Sequence, residues 1–359
     1  MPRLTIDLAK IEHNTRLIDG LLKPHGVRLV GVTKGCVGND LVAGAMLAGG
    51  AAALADSRAG NIRNLRRHFP ETEIEFLRSP VVHEDAGFDA DVYFVSSYEQ
   101  ALLLLQMAPR RPLRLCLLIE TGDGREGVPL RMASDEAARI ACMPDAALAG
   151  LATNAACARS GAPVGEALAA FGDAAGKIAW RLGRGRMEQS SGGVTEPPPL
   201  MSVGGSGLLR LLAGAEEAEG REPGWGMSLF APVTELRCGE AILLGRIPSG
   251  SAPDLYLEGA HRDAFILEGP VLEVFEKDGA PQALIGFGVQ ETGGARLIPC
   301  HPGITPASAT SDYFAITCGS PELRAHPLRV GEMVGFIPTY YALLAAMTSP
   351  YVNKEFLGA

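Results

Sequence analysis

The chain has 359 residues, 47% of them apolar and 20% charged, the balance of an ordinary folded protein with one large domain and a smaller one. Its net charge of −9, from 32 basic and 41 acidic residues, argues against nucleic acid or an anionic membrane as partner. The seven cysteines (Cys36, Cys116, Cys142, Cys157, Cys238, Cys300 and Cys318) are scattered and form no C-x-x-C. That usage points to reduced thiols in a cytoplasmic protein, and away from a disulfide framework or a metal site. The opening MPRLTIDLAK lacks the apolar core of a signal peptide. The most apolar stretch, Leu41 to Ala55, is broken by Gly49 and Gly50 and is too short to span a bilayer.

In chain order, a strand is predicted over Arg3 to Asp7 and an amphipathic helix over Leu8 to Leu22. Eight apolar runs follow: RLVGVTK, AAALADSR, EIEFLRSP, DVYFVSS, LRLCLLIETGD, ALAGLATN, LMSVGGSG and VTELRCGEAILLG. Helical patterns lie between them, among them NDLVAGAMLAGG, SYEQALLLLQMA, SDEAARIACM and GEALAAFGDAAGKIAWRL. Short, near-continuous apolar strands alternating with helices predict strands buried on both faces, hence an α/β fold with a (β/α)8 barrel. Two Gly-, Glu- and Pro-rich insertions, 183–199 and 214–226, read as exposed loops. After Gly245 helical periodicity gives way to β-type runs (AFILEGPVLEVFE, ALIGFGVQ, YFAITCGS, MVGFIPTYYALL), clearest from Ala264 onward. The division expected is a barrel over residues 8–245 and a mostly β domain from residues 1–7 and 246–359.

Functional groups of such a barrel collect at the C-terminal ends of its strands. Only six lysines exist, and Lys34 alone ends a strand of Leu and Val, where a buried stem would lower the amine's pKa. A lysine that merely snorkels from the barrel mouth is the plainer alternative. The run SVGGSGLL at the seventh strand is a glycine-rich turn into a helix, an anion site if its N–H groups are free, with Ser206 adding a hydroxyl. Gly239 in LRCGE lies beside it on the eighth strand. Arg237 on that strand is either an ion-pair partner or a donor to a heteroaromatic ring nitrogen. Arg125, in ETGDGREG, is a loop ion-pair partner or a residue that steers a substrate carboxylate. The closing YYALLAAMTSPYV holds three tyrosines that either dock the chain end or return a hydroxyl, that of Tyr351, to the phosphate.

Together these segments resemble the fold-type III pyridoxal 5′-phosphate (PLP) racemases, the alanine racemase superfamily, and most of all its ornithine racemase-like branch. The likeness runs nearly the whole chain: LTIDLAKIEHN, VGVTKGCVGN, LADSRAGNIRNL, ETGDGREGV, GLATN, SVGGSGLLRLL, LRCGEAILLGR and YYALLAAMTSPYV. It implies a PLP-dependent racemase of a free amino acid, ornithine-like or alanine-like, working as a homodimer with its active site at the interface. Carried over by position, the Schiff-base lysine is Lys34 and the pyridine-contacting arginine is Arg237. Ser206, Gly207, Gly239, Glu240 and Tyr351 fall at the phosphate, Asn154 faces the ring, and Arg125 is the arginine of the TGxGR loop. The family's second acid/base, a tyrosine in a glycine-rich strand of the partner subunit, has no counterpart in GFGVQETGG. Cys36, Tyr340, Tyr341, Cys300, His301 and the Ser311–Asp312 pair are candidates for that role, with Cys36 and Tyr341 foremost. A distal ammonium on the substrate would need Asp56, Asp123, Glu291 or Asp312. The alternatives are a PLP-dependent decarboxylase or aldolase of the same fold, and a non-catalytic PLP carrier.

Overall fold

The structure, a computed structural model, describes residues 1–81, 88–107, 112–154, 164–183, 199–212, 232–248, 255–277 and 279–358. The insertions expected to be exposed loops lie outside them, apart from Gly183 and Pro199, as does Cys157.

The eight predicted runs supply eight parallel strands: Arg28–Val32, Ala53–Asp56, Ile74–Phe76, Val92–Val95, Leu113–Glu120, Ala146–Asn154, Leu200–Gly204 and Glu235–Cys238. Each pairs with its neighbours in chain order, and the last pairs with the first through Glu235 opposite Arg28, so the barrel closes. Alternation along each strand sorts the side chains into two sets. Leu29, Leu54, Tyr93, Leu117, Val203 and Leu236 face the helices and join the main core. Val30, Val32, Ala53, Ala55, Val92, Phe94, Cys116, Leu118 and Ala152 form small separate clusters, which fill the barrel's interior.

The helix Leu8–Leu22 begins where predicted because Asp7 caps it, accepting from Lys10 N at 3.1 Å. Ile11, Asn14, Thr15, Ile18 and Leu22 are its buried stripe, at helical spacing. Asn14 within that stripe donates to the carbonyls of Ile242 and His261 and accepts from His261 N, so all its polar atoms are engaged.

The β domain is a sheet of Leu297–Pro299, Met333–Pro338, Phe265–Lys277, Ala280–Ile285, Phe314–Cys318 and Ile304–Ala309, antiparallel throughout. The N-terminal strand Arg3–Asp7 joins it, antiparallel to Phe265–Lys277 and parallel to the last strand, Asn353–Leu357. Phe287, Phe314 and Phe336 pack edge-on and stacked at its centre, with centroids 5.4–5.6 Å apart.

Two segments depart from the predicted strands. The eighth run stops being strand at Cys238, and Glu240–Leu244 is a short helix closed by Gly245 at φ +61°. Likewise MVGFIPTYYALL is strand only to Pro338, and Tyr340–Thr348 is a helix with Thr339 at its start. Both helices have apolar residues all round, Tyr340–Thr348 even at the exposed Tyr341 and the half-buried Leu344 and Ala345, which removes the period that distinguishes helix from strand. Among the described residues no helix is long and apolar enough to cross a membrane.

Candidate active site

The first barrel strand ends at Val32, and Lys34 opens a single helical turn, Lys34–Cys36, on the rim. Its side chain is exposed rather than buried along its stem as the sequence suggested, because the strand stops two residues short of it. Gly35, next in sequence, lies under the ring of Tyr340: a Cβ there would sit 3.0 Å from Tyr340 Cε2 and 3.4 Å from its hydroxyl. The helix Tyr340–Thr348 thus brings Tyr340, not Tyr341, against the Lys34 turn. Tyr340 is half-buried, and burial first, then Glu240, Cys36 and Asp56, push its phenol well above the usual range. Tyr341 is 63% exposed, and Tyr351 is exposed beyond the other end of that helix.

Cys36 drops out as a proton carrier. Its thiol is fully buried, donates to Thr33 O at 3.1 Å, and is pushed far up by burial and by Asp56. Cys300 and His301 lie on the β domain, where burial also raises the Cys300 thiol.

Arg237 lies inside the upper barrel. Its guanidinium sits 4.3 Å from the Phe94 ring centroid, and Nη2 donates to Thr153 O at 2.8 Å, with Asn154 Oδ1 at 3.4 Å. Its Nε is buried with no hydrogen-bond partner. Such a donor is costly to leave unmade and fits an acceptor supplied from outside the chain. Gly204 makes this arrangement possible, since a Cβ would lie 2.5 Å from Asn154 Oδ1 and 2.8 Å from Arg237 Nη2. Asn154 also donates to Glu126 at 3.3 Å.

Beside Arg237 two helix starts meet. Ser206–Leu208 follows Gly205, held at φ +112°, and Glu240–Leu244 follows Gly239. Ser206 Oγ ties them, accepting from Ala241 N at 3.1 Å, with Cys238 Sγ at 3.4 Å. First-turn N–H groups have no partner within their helix, so those of Ser206 and Gly207 can donate to an anion beside Gly239. Glu240 itself turns to Arg246. A phosphate in this cradle and an aromatic ring whose nitrogen meets Arg237 Nε match PLP, so the residues present fit that cofactor.

The loop after the fifth barrel strand carries Arg125, which pairs through Nε with Asp123, while Glu120 accepts from Gly124 N at 3.0 Å. Of the carboxylates considered for a distal ammonium, Asp123 is therefore engaged. Asp56 is buried under four donors, and Glu291 accepts from Gly288 N. Asp312 is exposed and accepts from Gln290 and Ser311. Among the described residues, the one group of three or more acidic, His or Cys side chains close enough to share a metal is Glu73, Glu75 and Glu235, and Arg28 already engages all three.

Phe94 and Thr33 escaped the sequence reading. Phe94 had no signal, because its contact with Arg237 exists only once the barrel closes. Thr33 did have one, a polar residue between an apolar strand and Lys34.

Comparison with known proteins bears on the fold and the family. A lysine racemase of Thermotoga maritima is 27% identical over 99% of this chain and 98% of its own. An ornithine racemase of Acetoanaerobium sticklandii is 24% identical over 99% of both. The fold is that of an alanine racemase from Streptomyces lavendulae, with TM-score 0.69 at 17% identity, over 100% of this chain and 97% of that one. Residues 6–199, more than half the chain, match the family described as "Alanine racemase, N-terminal domain". The chain belongs to that family, the alanine racemase family of PLP-dependent amino-acid racemases.

Proposed function

We propose that the chain racemises a free basic amino acid, lysine or ornithine, with Lys34 as the lysine that anchors PLP. The convergence of the Lys34 turn, the unpartnered Nε of Arg237 and the Ser206–Gly239 cradle on one rim carries this reading. The substrate class rests on the two racemases that match over almost the whole chain.

Bound PLP withdraws electrons from the substrate's Cα–H bond and so acidifies it. The cradle of Ser206, Gly207, Gly239 and Glu240 holds the phosphate, with Tyr351 as a further ligand. Arg237, a cation braced by Phe94, Thr153 and Asn154, would donate from Nε to the ring nitrogen and would keep that nitrogen unprotonated. A ring so held is a restrained electron sink, which suits proton exchange over deeper carbanion chemistry. Arg125 steers the substrate carboxylate. Lys34 Nζ exchanges the proton at Cα on one face. The other face falls to the pair heading the C-terminal helix, Tyr340 before Tyr341. Burial keeps the Tyr340 phenol protonated, ready to deliver a proton and, in the reverse direction, to take one back. The working unit is a cytoplasmic homodimer in which the β domain (residues 1–7 and 246–359) completes the site of the barrel (residues 8–245).

The test is α-proton exchange in D2O by NMR over a panel of L- and D-amino acids with the PLP-loaded protein. Both enantiomers of lysine and ornithine are expected to exchange and interconvert. Release of CO2 or an aldehyde without loss of optical purity would move the enzyme to the decarboxylases or lyases. Bound cofactor with no exchange anywhere on the panel would make it a carrier.

A further inference from the structure

The turn that presents Lys34 is strained, and it is clamped from one side. Val37, three residues on, has φ +52°, the left-handed region that a β-branched side chain rarely enters. Gly38 follows at φ +63°, and a Cβ there would lie 2.6 Å from Asn61 Cβ. Conformations of this kind persist only where their surroundings over-determine them.

The surroundings are the end of the next barrel strand and the helix after it. Thr33 is fully buried and donates from its backbone to Ala55 O at 2.9 Å. Its carbonyl accepts from Cys36 N at 2.9 Å and from Gly38 N at 3.2 Å, which winds the turn. Its hydroxyl reaches Asp56 Oδ2 at 2.7 Å. Asp56 Oδ1 accepts from Ser57 N at 2.7 Å and from Arg58 N and Asn61 Nδ2, both at 3.0 Å. Asn64, one turn along that helix, donates to Gly38 O at 2.9 Å. A carboxylate fully buried under four donors is out of reach of a substrate ammonium, the role its sequence position suggested.

We infer that Asp56 is a positioning residue: through the Thr33 hydroxyl it locks the strained Lys34–Gly38 turn and so fixes where Lys34 Nζ meets the cofactor aldehyde. This rests on Lys34 being the anchoring lysine. The side-chain hydrogen bonds of Thr33 and Asp56 run among residues 33–61, and none reaches the cradle or Arg237; the clamp therefore governs capture by Lys34, and the cradle governs docking of the cofactor.

The experiment uses full-length protein stripped of cofactor. Two probes are compared: PLP, whose aldehyde Lys34 can capture with loss of water, and pyridoxine 5′-phosphate, which docks alike but has no aldehyde. In Thr33→Val, which keeps the shape and removes the hydroxyl, the rate of covalent PLP capture, followed by absorbance, is expected to fall at least about tenfold. The affinity for pyridoxine 5′-phosphate is expected to stay within about twofold of wild type, and Thr33→Ser to capture at the wild-type rate. Asp56→Ala is expected to match Thr33→Val, and the double variant to be no slower than either single one. Capture at the wild-type rate in Thr33→Val, or an equal loss for both probes, overturns the inference. Lys34→Ala tests the underlying assignment separately, since capture that survives it would show the anchor to be another lysine.

Discussion

The two ends of the barrel's interior are built on opposite terms. At the lower end Arg28 engages Glu73, Glu75 and Glu235, Arg114 pairs with Glu73 at 2.8 Å, and Ser202 donates to Glu235. There, charge is matched within the chain, with a single Glu75 oxygen left without partner. At the upper end Arg237 keeps an unpartnered Nε, Val37 holds a strained backbone, and Gly204 yields its side-chain space to Arg237 and Asn154. A fold can close its lower end for stability and leave donors unmet at the end where a ligand will meet them. The contrast supports the upper end as the proposed site.

Arg237→Gln attacks the upper end. Turnover is expected to drop on the order of 10²-fold, the usual loss for one aimed donor, with the absorbance band of the bound cofactor shifted. A loss below about threefold with an unchanged spectrum would mean that the unpartnered Nε serves nothing.

Glu75→Gln probes the lower end and acts on stability. Burial, then Glu235, push the Glu75 carboxyl well above its ordinary value of 4.5. A carboxyl raised on folding contributes stability in its protonated form, fully below the unfolded value and progressively lost as pH rises through the folded one. Glutamine stays neutral throughout. The variant is therefore expected to lose less melting temperature than wild type between about pH 5 and pH 8, by roughly 2–4 °C. Parallel curves would show that Glu75 keeps one charge state across the whole range.

Much of this could be read from the sequence, for physical reasons. Parallel strands buried on both faces appear as unpunctuated apolar runs, so all eight were visible, and Asp7 marks the start of the first helix by its chemistry. The short helices Glu240–Leu244 and Tyr340–Thr348 were hidden because apolar residues on every side erase periodicity. The charged lower cluster was legible in principle: Arg28, Glu73, Glu75, Arg114 and Glu235 interrupt apolar strands, and such charges are buried only when paired. What sequence could not supply were contacts between strands remote in the chain, such as Arg237 over Phe94. Nor could it separate two roles for one residue type: Asp56 reads equally as an ammonium partner and as a clamp until its four donors are seen.

The central claim is that, of six lysines, Lys34 alone stands where this rim can use it. Borohydride treatment of the PLP-loaded protein, followed by peptide mass spectrometry, tests it directly. The expected result is a pyridoxyl adduct confined to the peptide bearing Lys34, and no adduct in Lys34→Ala. An adduct on any of the other five lysines, or wild-type labelling in the variant, would contradict the account.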